Sequence, residues 1–190
     1  MAHRLDQQVA IITGASRGIG RAIAEAYAAE GANLCLIATD VSRLQEVKDS
    51  LGLPADRIMT LGLNVTERDA CFAAVAQVQE RFGRVDVLVN AGASTARGTI
   101  VDTTPETFDE LFSTNVRGPY FLMQEAIKVM IAKGIEGAIC NIGSISALAG
   151  QPFINAYCAS KGALTTLTAN TAFSVMGNRI RVNQLNVGWM

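Results

Sequence analysis

The sequence predicts an α/β protein built on a doubly wound parallel sheet with helices on both faces, and three observations carry that reading. Short apolar runs rich in β-forming residues alternate with longer amphipathic stretches along the whole chain. The first run ends in a glycine-rich turn that opens a helical stretch, as a buried parallel strand would. No linker, low-complexity segment or short repeat interrupts the alternation, so residues 1–190 read as one domain.

VAIIT (9–13) is a continuous apolar run and is expected as the first strand. RAIAEAYAAEGA follows as a helix, with alanines along it and Gly31 as a stop signal. NLCLIA (33–38) is a second strand and VSRLQEVKDSL a second helix. RIMTLGLNV (57–65) is expected as the third strand, ending in Asn64 and Val65. ERDACFAAVAQVQERFG is a helix closed by Gly83, and VDVLVNAG (85–92) is a fourth strand. The stretch from Thr104 to Gly134 supplies two helical segments, with Thr104 as N-cap and Pro105 at the first helical position. GAICNIGSIS (137–146) is a fifth strand, NAYCASKGALTTLTANTAFSVMG a long helix ending at Gly177, and RIRVNQLNVG (179–188) a sixth strand. Strands followed by helices in this order give a Rossmann-like sheet.

Composition narrows the function. Hydrophobic residues make up 49% and charged residues 17% of the 190, which is a globular balance with enough chain for a sizeable core. A net charge of -1 with no Lys/Arg cluster gives no footprint for nucleic acid. The N-terminal stretch lacks the apolar segment of a secretory signal, and no run of 18 apolar residues occurs, so no membrane partner and a cytoplasmic location are expected. The four cysteines (Cys35, Cys71, Cys140, Cys158) show no C-x-x-C spacing and read as reduced, mostly core residues. His3 is the single histidine, which excludes histidine-based triads and most zinc sites, so no metal is expected.

Two places carry chemistry. TGASRGIG (13–20) stands between the first strand and the first helix, where glycines admit a pyrophosphate to the backbone and the helix start offers free N–H groups. Its spacing is G-x-x-x-G-x-G and not G-x-G-x-x-G, and a plain tight turn is the rival reading. Asn64–Val65 and Asn90-Ala91-Gly92 end the third and fourth strands at the carboxyl edge of the sheet, where open α/β folds bind ligands. YCASK (157–161) sets a tyrosine and a lysine four residues apart on one face of a helix.

The ordered set T-G-x-x-x-G-I-G, N-A-G, a serine and Y-x-x-x-K resembles the short-chain dehydrogenase/reductase family over nearly the whole chain. The resemblance implies hydride transfer between a nicotinamide dinucleotide (NAD or NADP) and a secondary alcohol or ketone. It makes Tyr157 the general acid/base and Lys161 its partner, which also grips the nicotinamide ribose. A free tyrosine ionises near pH 10, so a base useful near pH 7 needs about 4 kcal/mol of differential stabilisation, which a nearby ammonium and the cofactor's positive ring favour. Ser144 is implied as the hydroxyl that holds the substrate oxygen, and Asn115 as the asparagine whose backbone binds a water leading to Lys161. Taken alone, Ser144 reads as a turn hydroxyl and Asn115 as a structural amide. Cys158 reads as packing.

The dinucleotide is expected on Gly14, Ser16, Arg17, Gly18, Ile19, Gly20, Thr39, Asp40, Asn64, Val65, Asn90, Ala91, Gly92, Tyr157, Lys161 and Gly188. Asp40 suits NAD and Arg17 suits NADP, with a lean to NAD; Asp40 also reads as the N-cap of the second helix. Substrate is expected on Ser144, Ser146, Gln151 and Tyr157, with Ser94 and Phe153 as further candidates. Polyols or sugars and 3-oxoacyl thioesters are the open substrate classes. Homo-oligomers, paired through helices near 108–132 and 156–177, are implied as well. Two departures from the family stand out. Asn186-Val187-Gly188 replaces a usual Pro-Gly, beyond which the backbone meets the nicotinamide carboxamide. A further helical segment and a seventh strand are absent from the sequence, which leaves the sixth strand expected as an edge, one pocket wall reduced, and a non-catalytic dinucleotide-binding protein as the rival function.

Overall fold

The computed structural model describes residues 3–188. Six strands form one parallel sheet: β1 (Val9–Thr13), β2 (Asn33–Ala38), β3 (Ile58–Gly62), β4 (Val87–Asn90), β5 (Ala138–Ser144) and β6 (Arg181–Val187). Their spatial order is β3-β2-β1-β4-β5-β6. The direction of winding reverses between β1 and β4, which opens a crevice at the carboxyl ends of those two strands. The helices are α1 (Gly18–Ala29), α2 (Val41–Leu51), α3 (Arg68–Phe82), α4 (Pro105–Phe112), α5 (Gly118–Lys133) and α6 (Asn155–Val175).

The continuous apolar runs are explained by burial on both faces. In β1, Val9 and Ile11 face one layer with Cys71, Val75 and Val78 of α3 and Leu122, Met123 and Ala126 of α5. Ala10 and Ile12 face the other layer with Ala24 of α1 and Leu44 and Val47 of α2. Each fully buried Ile or Leu of β1 and β2 contributes about 2 kcal/mol of apolar transfer energy. The start of the sheet is pinned by Asp86, whose buried carboxylate accepts from the Val9 N–H at 2.8 Å and from Arg84 at 2.8 and 2.6 Å.

Several boundaries differ from the sequence reading. The third strand leaves the ladder after Gly62, so Leu63–Val65 form the turn beyond it; Asn64 accepts there from the Thr66 N–H at 3.1 Å. The two segments around Asn115 are nearly one helix. A π-helical turn, Ser113–Arg117, joins α4 to α5, and Gly118–Pro119 begins the second without a break. Such a turn is common beside functional sites. Thr104 caps α4 as expected, accepting from Thr107 N–H at 3.2 Å.

A file of buried amides crosses the sheet. Asn90 of β4 donates to Asn141 of β5 at 2.8 Å, and Asn141 donates to Thr168 of α6 at 2.8 Å. Thr168 meets the Gln184 Oε1 of β6 at 3.2 Å, and the Gln184 amide donates to Thr165 at 2.7 Å. β6 lies at the edge of the sheet, with Leu185 57% exposed. All four cysteines are free, Cys35 and Cys71 buried, Cys140 and Cys158 half-buried. Among the described residues no group of His, Cys, Asp and Glu is placed to hold a metal, and no helix is long and apolar enough to cross a membrane.

Candidate active site

Two cavities meet at the crevice. The first, about 400 Å³, is lined by Gly14, Ser16, Arg17, Gly18, Ile19, Gly20, Thr39, Asn64, Val65, Ala91 and Gly92 of the predicted set, and also by Ala93, Thr95 and Thr114. The second, about 420 Å³, is lined by Ser144, Ser146, Gln151, Phe153, Tyr157 and Gly188, together with Thr95 and Arg97. Thr95 belongs to both, so the glycine-rich groove opens beside the tyrosine.

The groove is held by backbone contacts that sequence spacing does not reveal. Thr13 accepts at its hydroxyl from the N–H groups of Ala91 and Gly92, at 3.1 and 3.0 Å, which ties the N-A-G turn to the glycine-rich turn. Gly14 has φ +65°, and a Cβ there would lie 2.7 Å from Gly92 Cα, so no other residue fits. Gly18, φ +53°, differs: nothing lies within 4 Å of where its Cβ would stand, on the wall of the groove. The N-terminus of α1 beside it is uncapped, with no side-chain bond from Arg17 and no acid in the first turn. These free N–H groups and the open space at Gly18 fit the phosphates of a dinucleotide.

Five residues expected on the dinucleotide do not line the groove: Tyr157 and Lys161, described below, and Asp40, Asn90 and Gly188. Asp40 does not line the groove. It caps α2, accepting from the Arg43 N–H at 3.1 Å and the Ser42 hydroxyl at 2.8 Å, and these bonds hold its carboxyl below the usual range. Asn90 is buried beneath the groove and donates to Asn141, while its Oδ1 has no partner among the described residues. Gly188 lines the second cavity, and the backbone just beyond it lies outside the described residues.

Around the tyrosine the geometry is compact. Lys161 is 3% exposed, and its ammonium donates to the Ile142 carbonyl at 2.8 Å and stands 5.8 Å from the centre of the Tyr157 ring. It lines neither cavity; burial lowers its pKa to about 8. Ser144 and Ser146 share a hydrogen bond of 2.6 Å, and Ser144 Oγ also accepts from the Ser146 N–H at 3.2 Å. With Ser146 as the hydroxyl donor, the Ser144 proton is left for a ligand in the cavity. Asn115 is buried in the π-helical turn. Its side chain accepts from the Ser94 N–H at 2.9 Å and donates to the Ser94 carbonyl and the Ser160 hydroxyl, both at 3.0 Å. It therefore clamps the loop after β4 to the helix that carries Tyr157 and Lys161. Ser94 serves this clamp and does not line the second cavity.

The family model of the short chain dehydrogenases matches residues 8–190. The chain belongs to that family. A sorbitol dehydrogenase of Cereibacter sphaeroides is 36% identical over 97% of this chain and 71% of its own length. A 3-oxoacyl acyl-carrier-protein reductase of Thermotoga maritima is 35% identical over 98% of this chain and 76% of its own length. The crystal structure of an NAD+-bound xylitol dehydrogenase superposes with a TM-score of 0.93 at 28% identity, covering 98% of this chain and 72% of that one. This dehydrogenase is an oxidoreductase of CH–OH groups that uses a nicotinamide dinucleotide and interconverts secondary alcohols and ketones. Sequence reasoning missed the roles of Thr13 and Ser160, which lie inside the quoted motifs but act through contacts to Ala91, Gly92 and Asn115, and missed Thr95 and Arg97, which lie at no motif spacing.

Proposed function

We propose that Tyr157 is the general acid/base of this dehydrogenase, that Ser144 holds the substrate oxygen, and that Lys161 supplies the positive charge beneath the phenol. One observation carries the reading: Tyr157 and Ser144 line one cavity, and that cavity joins the glycine-rich groove at Thr95. Gly14, Gly18, the α1 N-terminus and Gly92 would hold a dinucleotide, whose nicotinamide would take or give the hydride. In oxidation the Tyr157 phenolate takes the alcohol proton while the Ser144 hydroxyl steadies the oxygen that becomes the carbonyl. In reduction Tyr157 returns the proton. Asn115 positions the tyrosine helix through Ser160 and Ser94.

For the dinucleotide, Arg17 and Thr39 line the groove and Asp40 does not, which favours NADP over the NAD that Asp40 suggested in the sequence. Parallel fluorescence titrations with NADPH and NADH are expected to give NADPH an advantage of about tenfold, which Arg17→Ala removes. Gly18→Ala, whose Cβ would enter the groove, should weaken both dinucleotides. Equal or NADH-favouring affinities would overturn the NADP assignment.

The substrate class supported first is a polyol or sugar, from the polar lining of Thr95, Ser146 and Gln151 and from the sorbitol-oxidising relative. A 3-oxoacyl thioester is the second reading, favoured by Ile145 and Phe153 in the lining, 39% and 62% exposed. A second copy of the chain is the proposed partner for the α4–α5 and α6 helices, where Phe108, Tyr120 and Phe173 are 45%, 45% and 76% exposed. Sedimentation velocity should find a dimer or larger species at micromolar concentration; a monomer throughout would refute the pairing.

A further inference from the structure

Arg97 is a cation in the substrate cavity for which the dehydrogenase chemistry provides no use. It lines the same space as Ser144, Gln151 and Tyr157, and none of the residues lining that space is acidic. Among the described residues it makes no ion pair, whereas Arg4, Arg21, Arg43, Arg68, Arg84, Lys128 and Arg179 each have a carboxylate. Two of the acids near it in the chain are engaged elsewhere. Glu110 accepts from the Ser94 hydroxyl at 2.8 Å, and Asp102 accepts from the Thr99 hydroxyl at 2.8 Å.

The backbone next to the arginine is also fixed in place. The next residue, Gly98, forms a parallel bridge with Ile154: its N–H donates to the Phe153 carbonyl at 2.8 Å, and its carbonyl accepts from the Asn155 N–H at 3.2 Å. The bridge ties the Arg97 loop to the segment leading into the Tyr157 helix. It also holds Phe153 at φ +65°, a left-handed conformation that costs a non-glycine residue about 1 kcal/mol. An unpaired guanidinium on the wall of a cavity that also carries the polar groups of Thr95, Ser146 and Gln151 is suited to an oxyanion, which it can bind through two parallel hydrogen bonds.

We infer that Arg97 is a specificity residue that selects substrates carrying an anionic group, of which a polyhydroxy acid is the class that also satisfies the polar lining. The reacting carbinol carbon sits at Tyr157 and Ser144, and the carboxylate of the same molecule sits on Arg97. This inference rests on the Tyr157–Ser144 site proposed above and adds to it the charge of the substrate.

D-Gluconate and sorbitol test it, since they differ only in a carboxylate against a CH₂OH at one end. Calorimetric titration of the dinucleotide-loaded Tyr157→Phe protein avoids turnover. Gluconate should bind about tenfold or more tightly than sorbitol, the increment of a hydrogen-bonded charge pair. Adding Arg97→Gln should erase that advantage, and a dinucleotide titration on the same sample, in a groove that Arg97 does not line, reports that the variant is folded. Equal binding of the two ligands, binding of neither, or a gluconate affinity indifferent to Arg97→Gln would each overturn the inference. Turnover by the wild-type chain separates the two proposals. Sorbitol oxidised by the wild-type chain, with gluconate bound no more tightly than sorbitol, leaves the dehydrogenase site standing and removes the anion preference. Arg97-dependent gluconate binding with oxidation unaffected by Tyr157→Phe retains the anion site and removes the assigned acid/base.

Discussion

Tyr157→Phe is expected to lower turnover by about 10²- to 10⁴-fold, the usual contribution of a positioned acid/base, while dinucleotide affinity stays within about twofold. The substitution removes one oxygen and keeps the ring. Among the described residues that oxygen has no hydrogen-bond partner, so nothing is left unsatisfied there, and the ring keeps its place against the Lys161 ammonium 5.8 Å from its centre. Stability should change little for the same reason. Steady-state rates beside a cofactor titration on the same sample check both halves. Undiminished turnover would remove Tyr157 from the mechanism. Loss of cofactor binding together with turnover would mean that the phenol serves the groove and not the proton.

Lys161→Met should have an effect of comparable size on turnover and a second, opposite effect on stability. The ammonium is held at 3% exposure on a single carbonyl, and burial lowers its pKa from 10.5 to about 8. In the unfolded chain the group keeps its proton to the ordinary value. Between pH 8 and 10.5 the unfolded state therefore binds more protons than the folded one, and stability rises with pH across that window. Below pH 8 the folded protein carries the whole cost of a buried charge, on the order of 3 kcal/mol by that shift. Methionine carries none of it. Urea unfolding at pH 7 and pH 10 should show the wild-type chain gaining on Lys161→Met as pH rises; parallel profiles would contradict a depressed lysine. Turnover should instead fall above pH 8, as the cation beneath the phenol is lost.

The parts of the fold legible in the sequence are those where burial acts on both faces of a strand. VAIIT and NLCLIA end where β1 and β2 end, because every residue of those runs meets a helix layer or a neighbouring strand. The run 57–65 overshoots because Leu63 and Val65 are apolar for another reason: they pack against the α3 and α5 layer after the ladder has stopped. The motif positions were legible wherever backbone geometry demands the residue, as at Gly14, or where helix spacing does, as at Tyr157 and Lys161. Asp40 carried two readings, because a carboxylate at the end of a second strand and one capping the next helix look alike in sequence, and the cap is the one seen. Arg97 carries no spacing signal at all. Its position depends on the bridge from Gly98 to Ile154, a pairing across more than fifty residues.

The file of amides from Asn90 to Gln184 bears on how the sixth strand finds its partner. β6 presents little apolar surface: Val182 is the buried side chain of its seven residues. Hydrophobic alternation alone would leave its pairing with β5 weakly specified, open to slipping by one or two positions. Gln184 fixes it. Only with Gln184 opposite Asn141 does its amide reach Thr165 and Thr168, and a slip of one residue would turn it away and forfeit both bonds. The same alignment sets Val187 opposite Ser144 and brings Gly188 to the cavity mouth. A glutamine far from the reacting atoms thus acts as an alignment key for the edge strand, and through it for one wall of the substrate cavity.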